Sequence, residues 1–425
     1  MIHEIKIRNL YSFKEEQTFS FEASSDRTYD DLYCYEVKPG LKLLKMAIIY
    51  GANAAGKSNF LNVLDFIRQI ILNVPNEKMK GTSVQQFLLD TQCLSENSSF
   101  SISLYLNGIR YIYDLELNSE FIVSEKLVYY PSSQPALVFQ RGYNPSKKVS
   151  TLKFGSTIDV GEREKIILEG DLIINATLLS VYLRKNVNIS VFEAIVNWFS
   201  KNMSPKTDSR NEQRYQSTER IYKSEKEKEF TLELLKKADF NIIDIELEKE
   251  EKKEGRSDVF EESAQLYLAI GIIKRRGLKF IHKTMNGKIA AMSFDAQSEG
   301  TKRYFELSSI LGKLLEENSF VPLDELESSL HPDLADHFIK TFLANSKNSQ
   351  LLFTTHNLML LDSDYIRRDA VWFCEKNEDG ATELFSAHDF GLHKNISLFN
   401  AYKIGKFGAK PNLGSIYLDN SGEKQ

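Results

Sequence analysis

Residues 51–58, Gly51-Ala52-Asn53-Ala54-Ala55-Gly56-Lys57-Ser58, place two glycines, a lysine and a serine at the spacing GxxxxGK[ST]. That spacing suits the holding of phosphate oxygens. The glycines let the backbone curl so that its N–H groups, and the start of a following helix, face the anion. Lys57 then reaches the β- and γ-phosphates and Ser58 the Mg²⁺. Gly51, Asn53, Ala54, Ala55, Gly56, Lys57, Ser58 and Asn59 are the expected nucleotide contacts.

Far downstream, Phe320-Val321-Pro322-Leu323-Asp324-Glu325 is a mostly apolar run ending in two carboxylates, and it resembles a Walker B strand. Asp324 would bind the Mg²⁺, and Glu325 would orient or deprotonate the attacking water. Taken alone, such a run reads more readily as a strand end followed by an N-capping acid; the phosphate loop is what gives it weight. Pro322 removes a ladder donor, so the strand is expected to be short or bulged there. Gln297-Ser298-Glu299-Gly300-Thr301-Lys302-Arg303 lies between the two motifs, and Thr354-Thr355-His356-Asn357 follows them.

The order GxxxxGKS, SEGTKR, hydrophobic-DE, SSLHP and TTHN resembles ABC-type ATPases of the soluble RecF/SMC-like branch. That resemblance implies ATP and Mg²⁺ as ligands. It also implies a signature motif of Ser298, Gly300 and Thr301 acting on the nucleotide held by a second subunit, and His356 as a switch histidine sensing the γ-phosphate. The 240 residues from Ser58 to Ser298 are too few for the long coiled coils of the SMC branch. The opening IKIRNLYSFKEEQTFSF, the signature and the C-terminal RRDAVWFCEK, GATELFSAHDF and KIGKFGA are more similar to abortive-infection ATPases of the RloA and AbiL type, related to those of the PARIS and OLD defence systems. The partners so implied are a second copy, in a dimer or higher even oligomer, and a separate nuclease or toxin effector, with a phage-derived trigger and DNA left open. The alternatives are a RecF/SMC-like DNA-repair or recombination ATPase, and an interaction scaffold that binds ATP with little turnover. Tyr11 stands where many relatives carry a basic residue, with Arg8 as a substitute, and Gln140 is the nearest candidate for a Q-loop glutamine. Asp362-Ser363-Asp364 has the spacing of a nuclease metal pair but reads better as loop capping.

The elements that position these residues follow from periodicity. Apolar alternation predicts strands at residues 3–10 and 18–23, strand, loop and helix around the phosphate loop, and a three-stranded antiparallel meander over residues 100–130 with Asn107-Gly108 and Asn118-Ser119 at its turns. The expected fold is α/β, an ABC-type P-loop ATPase domain split into two lobes (1–140 and 277–425) with a mainly helical insertion at 141–276. Within that insertion residues 203–218 read as a polar stretch, residues 223–237 as a charged helix, and residues 248–258, EKEEKKEGRSD, as a solvated charged run. A hairpin is expected around Asn286-Gly287.

At 425 residues with 42% hydrophobic and 27% charged side chains, composition excludes wholesale disorder. No run reaches the roughly 18 apolar residues a membrane helix needs, the N-terminus lacks the layout of a secretory signal, and three scattered cysteines form no disulfide framework. A reducing cytoplasm is therefore expected. The net charge of -5 confines any nucleic-acid contact to a local patch, and the pairs Lys147-Lys148, Arg275-Arg276 and Arg367-Arg368 read as ordinary surface charge.

Overall fold

The structure, a computed structural model, describes residues 1–425 except 76, 78–79, 207–209, 239, 248–276, 317, 392–395 and 411–425. Alternation near the N-terminus produces β1 (Ile2–Arg8) and β2 (Gln17–Ser20), with Ile2, Ile5, Ile7 and Phe19 turned inward. A single turn, α1 (Asp30–Tyr33), leads into the hairpin β3 (Cys34–Lys38) and β4 (Leu41–Leu44). Next come β5 (Met46–Gly51), buried throughout, and α2 (Lys57–Leu72). Phe60, Leu61, Val63, Leu64, Phe66, Ile67 and Ile70 cover more than one stripe of α2, so this helix is enclosed on several sides.

Five strands follow: β6 (Ser98–Leu106), β7 (Ile109–Leu117), β8 (Ile122–Tyr130), β9 (Ala136–Asn144) and β10 (Val149–Phe154). They extend β1 and β2 into an antiparallel sheet ordered β10-β9-β8-β7-β6-β1-β2. The three-stranded meander thus gains two strands, and the division expected at residue 140 falls inside β9. As an edge strand β10 buries none of its residues fully, so its sequence carries little apolar period.

The helical segment contains α3 (Glu162–Gly170), α4 (Leu178–Leu183), α5 (Ser190–Asn197), α6 (Arg210–Lys223) and α7 (Glu225–Lys237). Residues 203–218, expected as a polar stretch, include much of α6. Its inward face carries Gln213, Ser217 and Thr218, which are buried yet polar and so announce no apolar period. Leu179, Phe192, Leu234 and Leu235 join the same hydrophobic cluster as Ile48 and Phe353, so these helices share the core of the sheets. Residues 248–258, the division at 276 and the pair Arg275-Arg276 lie outside the described residues.

A buried charge pair fastens α4 to the meander. Glu125 of β8 accepts hydrogen bonds from Leu178 N at 3.0 and 2.8 Å and from Tyr113 Oη at 2.9 Å. Arg141 of β9 lies 3.6 Å from Glu125 and donates to Ala176 O and Ile173 O, both side chains being wholly inaccessible. Burial pushes the Glu125 carboxyl up from its ordinary value, and the Arg141 charge opposes that shift.

In the last third, β11 (Asp244–Leu247), β12 (Leu278–Lys283) and β13 (Ile289–Ser293) form a small antiparallel sheet whose second turn is the expected hairpin. Then follow α8 (Glu299–Leu315), β14 (Phe320–Leu323), α9 (Pro332–Asn345), β15 (Gln350–Thr354), β16 (Val371–Lys376), β17 (Thr382–Ser386) and α10 (Leu398–Lys403). Strand order β14-β15-β5-β16-β17 inserts the N-terminal β5 between two C-terminal strands, with β14, β15, β5 and β16 parallel. The two ends of the chain therefore meet in one sheet. Pro322 is accommodated because β14 is the short edge strand. Outside it, Met203 bridges Phe320, and Ser204 N donates to Phe320 O at 2.8 Å. Among the described residues no helix is long and apolar enough to cross a membrane.

Candidate active site

The turn from β5 into α2 is held from behind. Gly56 has φ +111°, and a Cβ built on it would lie 2.2 Å from Thr382 Oγ1. Thr382 Oγ1 donates to Ala55 O at 2.9 Å and lies 2.8 Å from Ser12 Oγ, while Thr382 N donates to Ser12 O at 2.7 Å. At the other glycine, a Cβ on Gly51 would meet Cys374 O at 2.5 Å. Glycine at 51 and 56 is thus a packing requirement set by β16 and β17. Gly56→Ala is expected to cost about 1–3 kcal/mol and to lower nucleotide affinity at least roughly tenfold, read by a denaturant melt and by equilibrium dialysis.

Asn53 and Ala54 form the exposed crest, Ala54 at φ +62°, and Ser58 is exposed on the first turn of α2. Lys57 is buried, its Nζ donating to Gly51 O at 2.9 Å and Ala52 O at 3.0 Å, so the lysine is folded onto its own loop. Burial lowers its pKa; the nearby Cys374, Asp324, Glu325 and Glu327 work against that. Asp324, Glu325 and Glu327 are thus the carboxylates near enough to the loop lysine to act on its charge.

Thr354 at the end of β15 orders the carboxylates. Its Oγ1 donates to Asp324 Oδ1 at 2.5 Å and accepts from Glu325 N at 2.9 Å. Glu325 takes a left-handed backbone conformation, φ +47°, and its side chain is exposed. Two residues on, Glu327 Oε1 accepts from His356 N at 2.6 Å, which fixes the backbone that carries the imidazole. A cavity of about 660 Å³ opens beside the loop, lined by Gly51, Ala52, Asn53, Ala55, Thr355, His356, Cys374, Glu375, Lys376, Tyr402 and Lys410 among others. Cys374 in its wall is a buried thiol pushed up to about 12, unsuited to thiolate chemistry. A second cavity of about 510 Å³ runs past Tyr11, Ser12, Asn59, Val84, Gln85 and Leu89.

Ser298 is the N-cap of α8. Its Oγ accepts from Thr301 N at 3.1 Å and lies 2.7 Å from Thr301 Oγ1. A Cβ on Gly300 would be 3.6 Å from Ser329 O, so the start of α8 adjoins the loop that follows the carboxylates. Ser298, Gly300 and Thr301 line neither cavity beside the phosphate loop.

Ser58 Oγ has no hydrogen-bond partner among the described residues and, with the Asp324 carboxylate, supplies the hard oxygen donors that suit Mg²⁺. The loop amides and Lys57 supply the complement for phosphate. The residues present therefore fit a magnesium nucleotide.

Residues 46–362, about three quarters of the chain, match the family described as "AAA domain, putative AbiEii toxin, Type IV TA system". The chain belongs to that family. No curated protein matches it. Among solved structures it is similar to the SMC head domain from Thermotoga maritima, at 12% identity and TM-score 0.42, over 91% of this chain and 98% of that one. It is also similar to the Smc head domain with an extended coiled coil bound to the C-terminal domain of ScpA, derived from Pyrococcus furiosus. There the identity is 12% and the TM-score 0.39, over 96% of this chain and 99% of that one. The fold of this AAA-domain chain is the expected α/β one, with the N-terminal β5 seated between β15 and β16 from the C-terminal part of the chain.

Several sequence candidates lie elsewhere. Gln140 is exposed on β9, opposite Lys153 and Lys126 in the antiparallel sheet, whereas Gln85, which periodicity did not single out, lines the cavity beside Asn59. Arg8 points to Glu96 at 2.7 Å, and Tyr11 N donates to Gln85 O at 2.8 Å. Arg367, expected on the surface, is buried between Asp369 and Asp30, each at 2.7 Å, because it ties the C-terminal lobe to α1. Asp362 accepts from Ser397 Oγ at 3.2 Å, and no group of three His, Cys, Asp or Glu residues able to hold a metal occurs among the described residues. Thr382, Ser12 and Glu327 were missed, and only their neighbourhood to motif residues in space marks them; Thr354 was noted as the first residue of TTHN but without a role.

Proposed function

We propose that this chain binds and hydrolyses ATP with Mg²⁺, and that nucleotide binding closes it against a second copy. Lys57 and the loop amides of one copy would hold the β- and γ-phosphates; Ser298, Gly300 and Thr301 of the other would complete the γ-phosphate contacts. Glu325 would accept the proton of the attacking water and His356 would face the γ-phosphate. Bound at Ser58 and Asp324, Mg²⁺ would neutralise charge on the transferred phosphoryl group. Gln85, Val84 and Tyr11 would border the base.

The observation that carries this reading is the wiring of Thr354 to both Asp324 and Glu325 beside a buried Lys57. That Ser298 lines neither cavity beside its own phosphate loop supports action on a second copy. The family description, with its toxin of a type IV toxin–antitoxin system, supports a role in a bacterial anti-phage system; the separate nuclease or toxin effector that this ATPase would control follows from the sequence resemblance alone. Cytoplasmic placement belongs to the same reading.

Equilibrium dialysis with sedimentation tests it. Lys57→Ala is expected to lose nucleotide binding by at least roughly a hundredfold, and Ser298→Arg to keep binding while staying monomeric with ATP and Mg²⁺. A Ser298→Arg chain that still pairs refutes the contact across subunits. Hydrolysis stimulated by DNA, with steep salt dependence, would instead favour a RecF/SMC-like repair role.

A further inference from the structure

Residues 203–206 are clamped between the two elements that carry the nucleotide machinery. On one side Met203 bridges Phe320 of β14, and Ser204 N donates to Phe320 O at 2.8 Å. On the other, Arg68 Nε of α2 donates to Met203 O at 3.0 Å, and Asp65 Oδ1 accepts from Lys206 N at 3.3 Å. The backbone of this segment therefore has little freedom, and it directs one long side chain inward. Lys206 has a side chain only 8% exposed, its Nζ lying 3.5 Å from Asp324 Oδ2 and donating to Asn62 Oδ1 at 2.8 Å.

The placement is informative because of what else Asp324 touches. Its Oδ1 is taken by Thr354, so Oδ2 is the oxygen turned toward Lys206. Asn62 follows Ser58 by four residues on α2, hence on the same helical face about one turn away. The ammonium thus sits against Asp324 and beside a side chain one helical turn from Ser58, next to the two residues proposed for Mg²⁺. Two cations in one such space repel, and in a poorly solvated site the repulsion is weakly screened.

We propose that Lys206 is a positioning residue of the divalent-cation site. Its ammonium holds Asp324 in the nucleotide-free chain and yields that carboxylate when the magnesium nucleotide enters. This rests on the proposed function. Because the same four residues cover the edge of β14, the exchange at Asp324 is passed directly to the helical segment, which thereby registers whether the metal is present.

The test uses Mn²⁺ as a paramagnetic probe with the full chain and a non-hydrolysable ATP analogue, reading free Mn²⁺ by electron paramagnetic resonance and metal-free analogue affinity by dialysis. Lys206→Met is expected to tighten Mn²⁺ binding roughly tenfold while metal-free analogue affinity stays within about twofold. Lys206→Arg, which keeps the charge, should behave like wild type, a rescue that a purely structural role for the stem would not link to metal affinity. Should Lys206→Met fold poorly, Asn62→Ala gives a second reading: with the ammonium loosened, Mn²⁺ should again bind more tightly. Unchanged or weaker Mn²⁺ binding in the folded variants overturns the assignment of Lys206 alone. A wild-type chain that binds neither analogue nor Mn²⁺ overturns the nucleotide reading, and this proposal with it.

Discussion

Replacing Glu325 by glutamine is expected to slow ATP hydrolysis by about 10²–10⁴-fold while leaving nucleotide binding intact. The carboxamide keeps the size and reach of the side chain but cannot accept the proton of water. The backbone beneath it should not change: Glu325 N is held by Thr354 Oγ1 at 2.9 Å, and its left-handed conformation, φ +47°, belongs to the turn rather than to the carboxylate. Lys57, half of the electrostatic complement for phosphate, is untouched. Single-turnover phosphate release, with dialysis on the same preparation, separates the two effects. If closure of two copies is reversed by hydrolysis, the Glu325→Gln chain should also accumulate as the nucleotide-bound pair in sedimentation. A variant as fast as wild type would remove Glu325 from the chemistry and leave an ATP-binding scaffold.

The second large effect concerns stability. Breaking the Glu125–Arg141 pair from one side, by Glu125→Leu or Arg141→Met, is expected to cost about 3–5 kcal/mol. Each change strands a charged group that no water reaches: both side chains have 0% exposure. It also frees polar groups, because Glu125 satisfies Leu178 N and Tyr113 Oη, and Arg141 satisfies carbonyls of residues 173 and 176. The double variant Glu125→Leu with Arg141→Met should recover a large part of the loss, since it removes both charges together. Denaturant melts of the four proteins form a double-mutant cycle, and additive losses would show that the pair does not act as a unit.

What could be read from the sequence, and what could not, divides along physical lines. The phosphate loop was legible because its constraint is local: φ +111° at Gly56 and the approach of Thr382 leave no room for a side chain, so the glycine must be written in the chain. The short run ending at Asp324 and Glu325 was legible by its position after apolar residues, and Pro322, which cast doubt on it, proved compatible once β14 was found at the sheet edge. The inward face of α6 was invisible because its buried residues Gln213 and Ser217 are polar; Ser217 Oγ donates to Phe305 O and Glu306 O of α8, both at 3.1 Å, so the packing is bought with hydrogen bonds instead of apolar area. Lys206 and Thr382 were hidden for another reason. Each is an ordinary residue type in a featureless stretch, and each acts on a partner more than a hundred residues away.

The arrangement of the parallel sheet has a consequence for association between copies. At one end, Pro322 offers no amide and Ser204 already donates to Phe320 O. At the other, Thr382 N is bound by Ser12 O and Leu384 N by Gln17 Oε1, at 2.7 and 2.8 Å. Both margins are thus spoken for by the chain itself, and a neighbouring molecule finds no row of free amides on which to lay a strand. At this sheet, the proposed pairing of copies would run through faces and loops, a kind of contact that comes apart without unzipping backbone, as repeated rounds of joining and separating would require.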